Sequence, residues 1–592
     1  MRPLSSAQNS HRYSPFSLVA KVFRSYYRNT VYLLLLLGFI LSGCDSNNDD
    51  ENKEPEVVEL LGQSAVVGEY LLLVDKKEDR VFSLDVSLKE EKLASSVKTA
   101  AITPNPFWIE AREGGESEAL VLSAGRRGVS QPTVLSALTV GKKLEIREYE
   151  VGAPFDTILQ SDDGRYALLY FSQGSDDVLY SLNEIAVVDL ENPGTDPNEK
   201  EEDEEQDAED IGVVRRTVDT SNGVISRIDI SPSMKIGQQK RTVAVVLSES
   251  RVTIVDLVKA TRTNTNVRLG GAADGPAIQP EQVEFNASER EIYVRAANSN
   301  DIFVLSLQPA GKDYVTDASQ IPVGVEPTDM KLYDSSKLLV VSKGSHDVHL
   351  INRSSESDGD DSEVDSVNQE VSIDLNHEAE KIALFQIVMK DKSKKHVALL
   401  YQEGSSVVTF LDLVDAEIYK EQNLDTVRLQ EPVLDVEVFD DDDLAFVTHH
   451  SSRVDIIDMV TRDVRSIRID NSLQEAVFDT QYARFWMAPP NQPFISYVDL
   501  NTGISSPDAV LLDDPIVQFV VANEAEKVVA VHEHIVCDTD DKEDDKNERD
   551  SDKDDDEENE EECRDYPISI SILDYDDPSR KTLVSFSDFF LK

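Results

Sequence analysis

Apolar and polar positions along the chain fall into a repeated pair of short apolar runs separated by a polar turn. Thr242 to Leu257, TVAVVLSESRVTIVDL, is the clearest copy, reading as two strands joined across Glu249-Ser250. Val, Ile and Leu pack well on a pleated surface, and each arm has the length of an ordinary strand. The same hairpin returns at Glu291 to Leu307, Lys337 to Arg353, His396 to Leu413 and Leu444 to Met459. Weaker copies begin at Tyr70, Ala119, Tyr166, Ala483 and Lys527. Most successive starts lie roughly 40–50 residues apart, the period of a four-stranded propeller blade.

A short apolar segment often precedes the hairpin, as in SRIDIS from Ser226, QVEFN from Gln282 and DVEVFD from Asp435. Another follows it in VRSIRID from Val464. Long helical periodicity is lacking, so the pattern predicts an all-β chain, a β-propeller of four-stranded blades. About ten hairpins exceed the usual 4–8 blades. A single large ring is the expectation, because no long linker separates equal halves; two tandem rings or fewer regular blades are the alternatives.

Charge changes the picture in two places. The 592 residues hold 114 acids against 58 bases, a formal net charge of −56, which repels a nucleic-acid backbone. Over half of the mature negative charge sits in the segment after Cys44 and in three runs, 199–210, 356–365 and 538–562. In a blade with strands a to d from the axis outward, the a–b and c–d loops share one face and the b–c and d–a loops the other. The first two runs follow a second hairpin arm, which makes them c–d insertions. The third interrupts a hairpin and is a b–c insertion on the opposite face.

Residues 1–43 read as a targeting segment rather than fold. Arg2, Arg12, Lys21, Arg24 and Arg28 form a basic stretch, and Val31 to Leu41 an apolar one too short for a comfortable span. It ends in Leu41-Ser42-Gly43-Cys44, which resembles the lipobox of bacterial lipoproteins. The resemblance implies cleavage before Cys44 and lipid on its thiol, with residues 44–56 an acidic, solvated tether and 57–592 the propeller. The implied place is the bacterial cell envelope, with outer-membrane attachment on either face expected over the inner membrane.

The other two cysteines, Cys537 and Cys563, bracket the third acidic run. Export to an oxidising compartment makes a disulfide the default there; unpaired thiols or a metal pair are the alternatives. Asp162 to Asn192, DDGRYALLYFS…NEIAVVDLEN, resembles the YVTN-type β-propeller repeat of lactonase-like and surface-layer-associated proteins. The matching parts are the Asp-Asp-Gly-Arg-Tyr turn, an apolar strand and a second strand ending Val-Asp-Leu. The resemblance runs through most of the mature chain as a repeat. It spans catalytic and non-catalytic families, so it implies a fold and no active site.

Linear catalytic signatures are absent: no G-x-S-x-G, H-E-x-x-H, C-x-x-C or Walker loop occurs. Candidate metal ligands are His532 and His534, two apart on one strand, and the His449-His450 pair; the competing reading is half-buried strand histidines. Asp550, Asp552, Asp554 and Asp556 alternate as oxygen ligands for calcium do. Their run lacks the turn glycine of such loops, so diffuse cation attraction competes with a specific site. Arg126 and Arg127 form a basic spot on a b–c loop, read as an exposed turn in preference to an anion site.

Two function classes follow. The first is a non-catalytic, lipid-anchored envelope propeller that binds a protein or glycan partner. The alternative is a lactonase-like or other hydrolytic propeller with a metal or carboxylate site at the central channel. The reading leans away from an enzyme, since the repeats carry packing residues throughout.

Overall fold

The computed structural model describes residues 59–585 except 116, 125–132, 173–181, 193–211, 221–223, 261, 270–277, 311–312, 334–336, 356–365, 389–393, 414–423, 440–442, 452, 469–474, 480–483, 490–491, 500–507, 513, 538–562, 576 and 579–580. The lipobox, Arg126, Arg127, the three acidic runs and the aspartates at 550–556 lie outside the described residues.

Among the described residues the chain forms ten four-stranded antiparallel sheets, each built from four consecutive strands a to d. They are the blades of one ring: 60–101, 106–150, 157–217, 225–268, 280–322, 327–374, 381–428, 433–468, 475–511 and 516–585, numbered 1 to 10. The ten hairpins legible in the sequence are the b–c pairs of successive blades. The run 199–210 falls between strands c and d of blade 3, and 356–365 between c and d of blade 6. The run 538–562 falls between b and c of blade 10.

Strands b and c are buried on both faces. Leu71, Leu72, Leu73 and Val74 are all within 1% of full burial, and every residue of Val243–Ser248 is buried. That is why these arms read as continuous apolar runs rather than alternating ones. Truncating one such leucine to alanine would cost about 2–5 kcal/mol.

Ring closure is visible in the core. Among the described residues ten apolar clusters form the core, and each spans two neighbouring blades. The tenth joins Leu71, Leu73, Phe82 and Leu84 of blade 1 to Val529, Val531, Ile570 and Ile572 of blade 10. Two tandem rings would leave such a chain of interfaces broken.

No strand is shared at this seam, because blade 1 uses only the first four strands and blade 10 only the last four. Closure therefore rests on side-chain packing. A seven-residue helix, α1 (Glu90–Ser96), between strands c and d of blade 1 adds Leu93 to the seam cluster. A second elaboration is the small hairpin Met234–Ile236 with Gln239–Arg241, between strands a and b of blade 4. Its Met234 and Ile236 cover the core between blades 4 and 5.

Candidate functional site

Strand a lies innermost, where consecutive blades meet around the central axis. In six blades this strand carries a bulge at the same place, between its first and third residues. The pairs are Pro106/Trp108, Ile225/Arg227, Pro280/Gln282, Pro327/Asp329, Val433/Asp435 and Ile516/Gln518. A bulge inserts one residue and turns the next side chain away from the regular pleat. At Gln282, Asp329, Asp435 and Gln518 the third side chain meets a neighbouring blade.

The consequence is a collar of contacts between blades. Gln282 of blade 5 donates from Nε2 to Asp329 Oδ1 at 2.7 Å and to the Met330 carbonyl at 2.8 Å, both in blade 6. Asp329 Oδ2 in turn accepts from the Ile382 amide of blade 7 at 2.8 Å. The Tyr401 hydroxyl of blade 7 donates to Asp435 of blade 8 at 2.8 Å. At the seam, Gln518 of blade 10 donates to the Leu61 carbonyl of blade 1 at 2.6 Å. Arg295 adds a bond to Gln282 Oε1 at 3.0 Å and one to the Pro327 carbonyl at 3.1 Å.

Charged groups on the same strands also pair. Arg227 holds Asp229 at 2.8 Å, and Lys331 holds Glu284 of the neighbouring blade at 3.1 Å. Burial pushes the Glu284 carboxyl above its ordinary range, and Lys331 pulls it back only in part. The Glu284 charge, in exchange, raises Lys331. Burial, with Asp435 beside it, raises the Tyr401 hydroxyl as well, so it remains a donor at any ordinary pH.

Chemically, the collar holds a carboxylate, Asp329, whose two oxygens are both occupied. Asp329 accepts on both oxygens, from Gln282 and its own strand on one side and from Ile382 on the other. Among the described residues Glu284 is the one inner-strand carboxyl with a raised pKa, and its nearest charged partner is a lysine rather than a second acid.

The candidate histidines do not gather. His532 is buried in blade 10, with Nδ1 at 3.2 Å from the Pro515 carbonyl and Nε2 at 2.8 Å from Ser571 Oγ. Both ring nitrogens therefore have protein partners. His534 lies on the same strand, but a bulge interrupts the ladder between the two. His449 is buried in blade 8, with Nδ1 at 2.9 Å from the Pro432 carbonyl and Nε2 at 3.2 Å from Asp455 Oδ2. His450 beside it is exposed. Among the described residues no group of three or more His, Cys, Asp or Glu is arranged to hold a metal ion.

The repeated Val-Asp-Leu ending also gains a physical role. Asp189 Oδ1 accepts from the amides of Glu191 and Asn192, and Asp458 Oδ1 from those of Val460 and Thr461. Asp256 Oδ1 accepts from the Lys259 amide at 2.9 Å. The aspartate caps the turn leaving strand c. A base at the start of strand b pairs with it across the sheet, as Arg165 does with Asp189 at 2.9 Å and Lys395 with Asp412 at 2.7 Å.

No known protein family matches this chain, and neither does any curated protein. Solved structures do share its outline at low identity. A dihydro-heme d1 dehydrogenase, NirN, in complex with DHE, is similar at 12% identity and a TM-score of 0.39. That match covers 77% of this chain and 76% of NirN. The Dos1 propeller is similar at 10% identity and a TM-score of 0.37, covering 64% of this chain and 89% of that one.

Proposed function

We propose that the chain is a non-catalytic, lipid-anchored propeller of the bacterial cell envelope whose loop faces bind a protein or glycan partner. One observation carries the reading: the inner-strand polar groups Gln282, Asp329, Asp435 and Gln518 each bond across to a neighbouring blade, and Gln282 and Asp329 do so with every side-chain polar atom engaged. A propeller enzyme needs such groups free to meet substrate, whereas a scaffold needs them to keep a wide ring rigid. Lipid on Cys44 would leave the acidic tether between the membrane and blade 1.

The hydrolytic alternative has one observation in its favour, the raised Glu284 carboxyl on an inner strand. A carboxyl whose pKa burial raises is closer to the range of a general acid than an exposed one.

One experiment on a single set of strains tests both parts. Membrane fractions should hold the native chain, and Cys44→Ala should move it to the soluble fraction; retention with the membrane would overturn the anchor. The purified chain, offered simple lactones and aryl esters with and without calcium or zinc, should show no turnover above background. Turnover abolished by Glu284→Gln at an unchanged thermal midpoint would overturn the scaffold reading.

A further inference from the structure

In blades 1 to 9 strand b ends opposite the first residue of strand a, as Ser342 does opposite Pro327 and Ala488 opposite Glu475. Blade 10 departs from this rule. Its strand a reaches only as far as His532, which faces Ile516, and its strand d only as far as Ser569, which faces Ser585. Strands b and c continue past both, pairing His534 with Tyr566, Ile535 with Asp565, Val536 with Arg564 and Cys537 with Cys563. Beyond the blade the hairpin is a two-stranded ribbon, and among the described residues no further strand flanks it.

An isolated two-stranded ribbon is at best marginally stable in water. This one also leads into 538–562, whose like charges repel one another and favour splayed ends. The two cysteines stand directly opposite at the last rung. Cα atoms of directly opposed antiparallel residues lie about 4.5–5.5 Å apart. A disulfide accepts about 4.4–6.8 Å. The rung thus has the backbone spacing for a bond at the point where the ribbon most needs one.

We propose that Cys537 and Cys563 are joined by a disulfide that pins this ribbon and closes 538–562 as a loop. The two thiols lose two protons and two electrons as the S–S bond forms. The electrons pass to a protein or low-molecular-weight disulfide of the exporting compartment, which is reduced to two thiols by exchange. The inference needs export to an oxidising compartment and no particular partner, so it stands or falls apart from the scaffold reading.

The test uses the mature chain isolated from its own membranes, with free thiols alkylated before lysis. Peptide mapping without reductant should return Cys537 and Cys563 as one linked pair. Either cysteine found alkylated, or paired elsewhere, overturns the proposal. The state of Cys44 in the same map reports the anchor separately. In the linked protein, reduction should speed amide exchange at 534–536 by about tenfold or more and leave 528–531, within the four-stranded sheet, unchanged. Unchanged exchange at 534–536 would show that the bond pins nothing.

Discussion

Gly164→Ala is expected to lower the stability of the folded chain by about 2–5 kcal/mol. Gly164 ends the turn Ser161-Asp162-Asp163-Gly164, where its amide donates to the Ser161 carbonyl at 2.7 Å. Its φ is +65°, a conformation that L side chains rarely adopt, and a Cβ there would stand 1.6 Å from the Glu113 carbonyl oxygen. Glu113 belongs to the facing a–b turn of blade 2. Across the same contact Gly114, at φ +64°, lies with its own Cβ position 3.0 Å from the Asp163 oxygen. Two turns thus meet backbone to backbone, and Arg112 Nε seals them by donating to the Gly164 carbonyl at 2.7 Å.

Conformational strain and collision can be separated by a second variant. Gly404 has φ +81° with nothing within 4 Å of a Cβ, so Gly404→Ala meets the strain alone, about 1–2 kcal/mol. Denaturant unfolding of the two variants checks the difference. Equal losses would mean that the turns of blades 2 and 3 do not touch as described.

The second large effect is expected at Asp455, whose side chain and that of His449 are both completely buried. Asp455 also accepts from Arg453 Nε at 2.9 Å. The His449 contact at 3.2 Å lacks a well-aligned hydrogen bond and is an ion pair when the imidazole is protonated. Asp455→Ala strips the partner from a buried imidazolium and is expected to cost about 3–5 kcal/mol.

The pH dependence follows from the direction of each shift. Burial opposes the charge on His449, but Asp455 and the Pro432 carbonyl overcome it and hold the imidazole above its ordinary value. Burial likewise opposes the charge on Asp455; His449, Ser466 and Arg453 outweigh it and hold the carboxyl below its ordinary value. The histidine contribution is complete below its unfolded pKa of about 6.5 and fades as pH rises through the raised folded value. The aspartate contribution is complete above about 3.9 and fades as pH falls through the lowered one. The gap in thermal midpoint between native chain and Asp455→Ala should therefore be widest between about pH 4 and 6.5 and narrower near about pH 9. A gap that widens with pH would contradict the charged pair.

The b–c hairpins were legible because both of their faces are buried, which leaves long apolar runs in the sequence. The flanking strands were less so. Leu424–Arg428 and Thr265–Arg268 are short, polar and half exposed, and resemble loop as much as strand. The helix Glu90–Ser96 offers a single buried apolar residue among its described side chains, Leu93, which is too little to show a helical period.

The collar left almost no linear signal. Its contacts join residues such as Gln282 and Met330, or Ile382 and Asp329, that are a blade apart in sequence. Only the third position of strand a, seen repeatedly after a proline or an apolar residue, hinted at it in Gln282, Asp329 and Asp435. The histidine partners had no signal in the spacing either: the Pro515 and Pro432 carbonyls that engage His532 and His449 stand just before strand a of their blades, 17 residues away in sequence.

The inter-blade collar requires one closed ring, and the seam between blades 1 and 10 is where closure shows. An electron cryomicroscopy map of the mature chain at side-chain resolution would show the ring directly. The predicted result is ten blades about a single axis, with Gln518 against the Leu61 carbonyl and Leu93 packed on Ile570 and Ile572. Two axes, or an open arc with blades 1 and 10 apart, would contradict it.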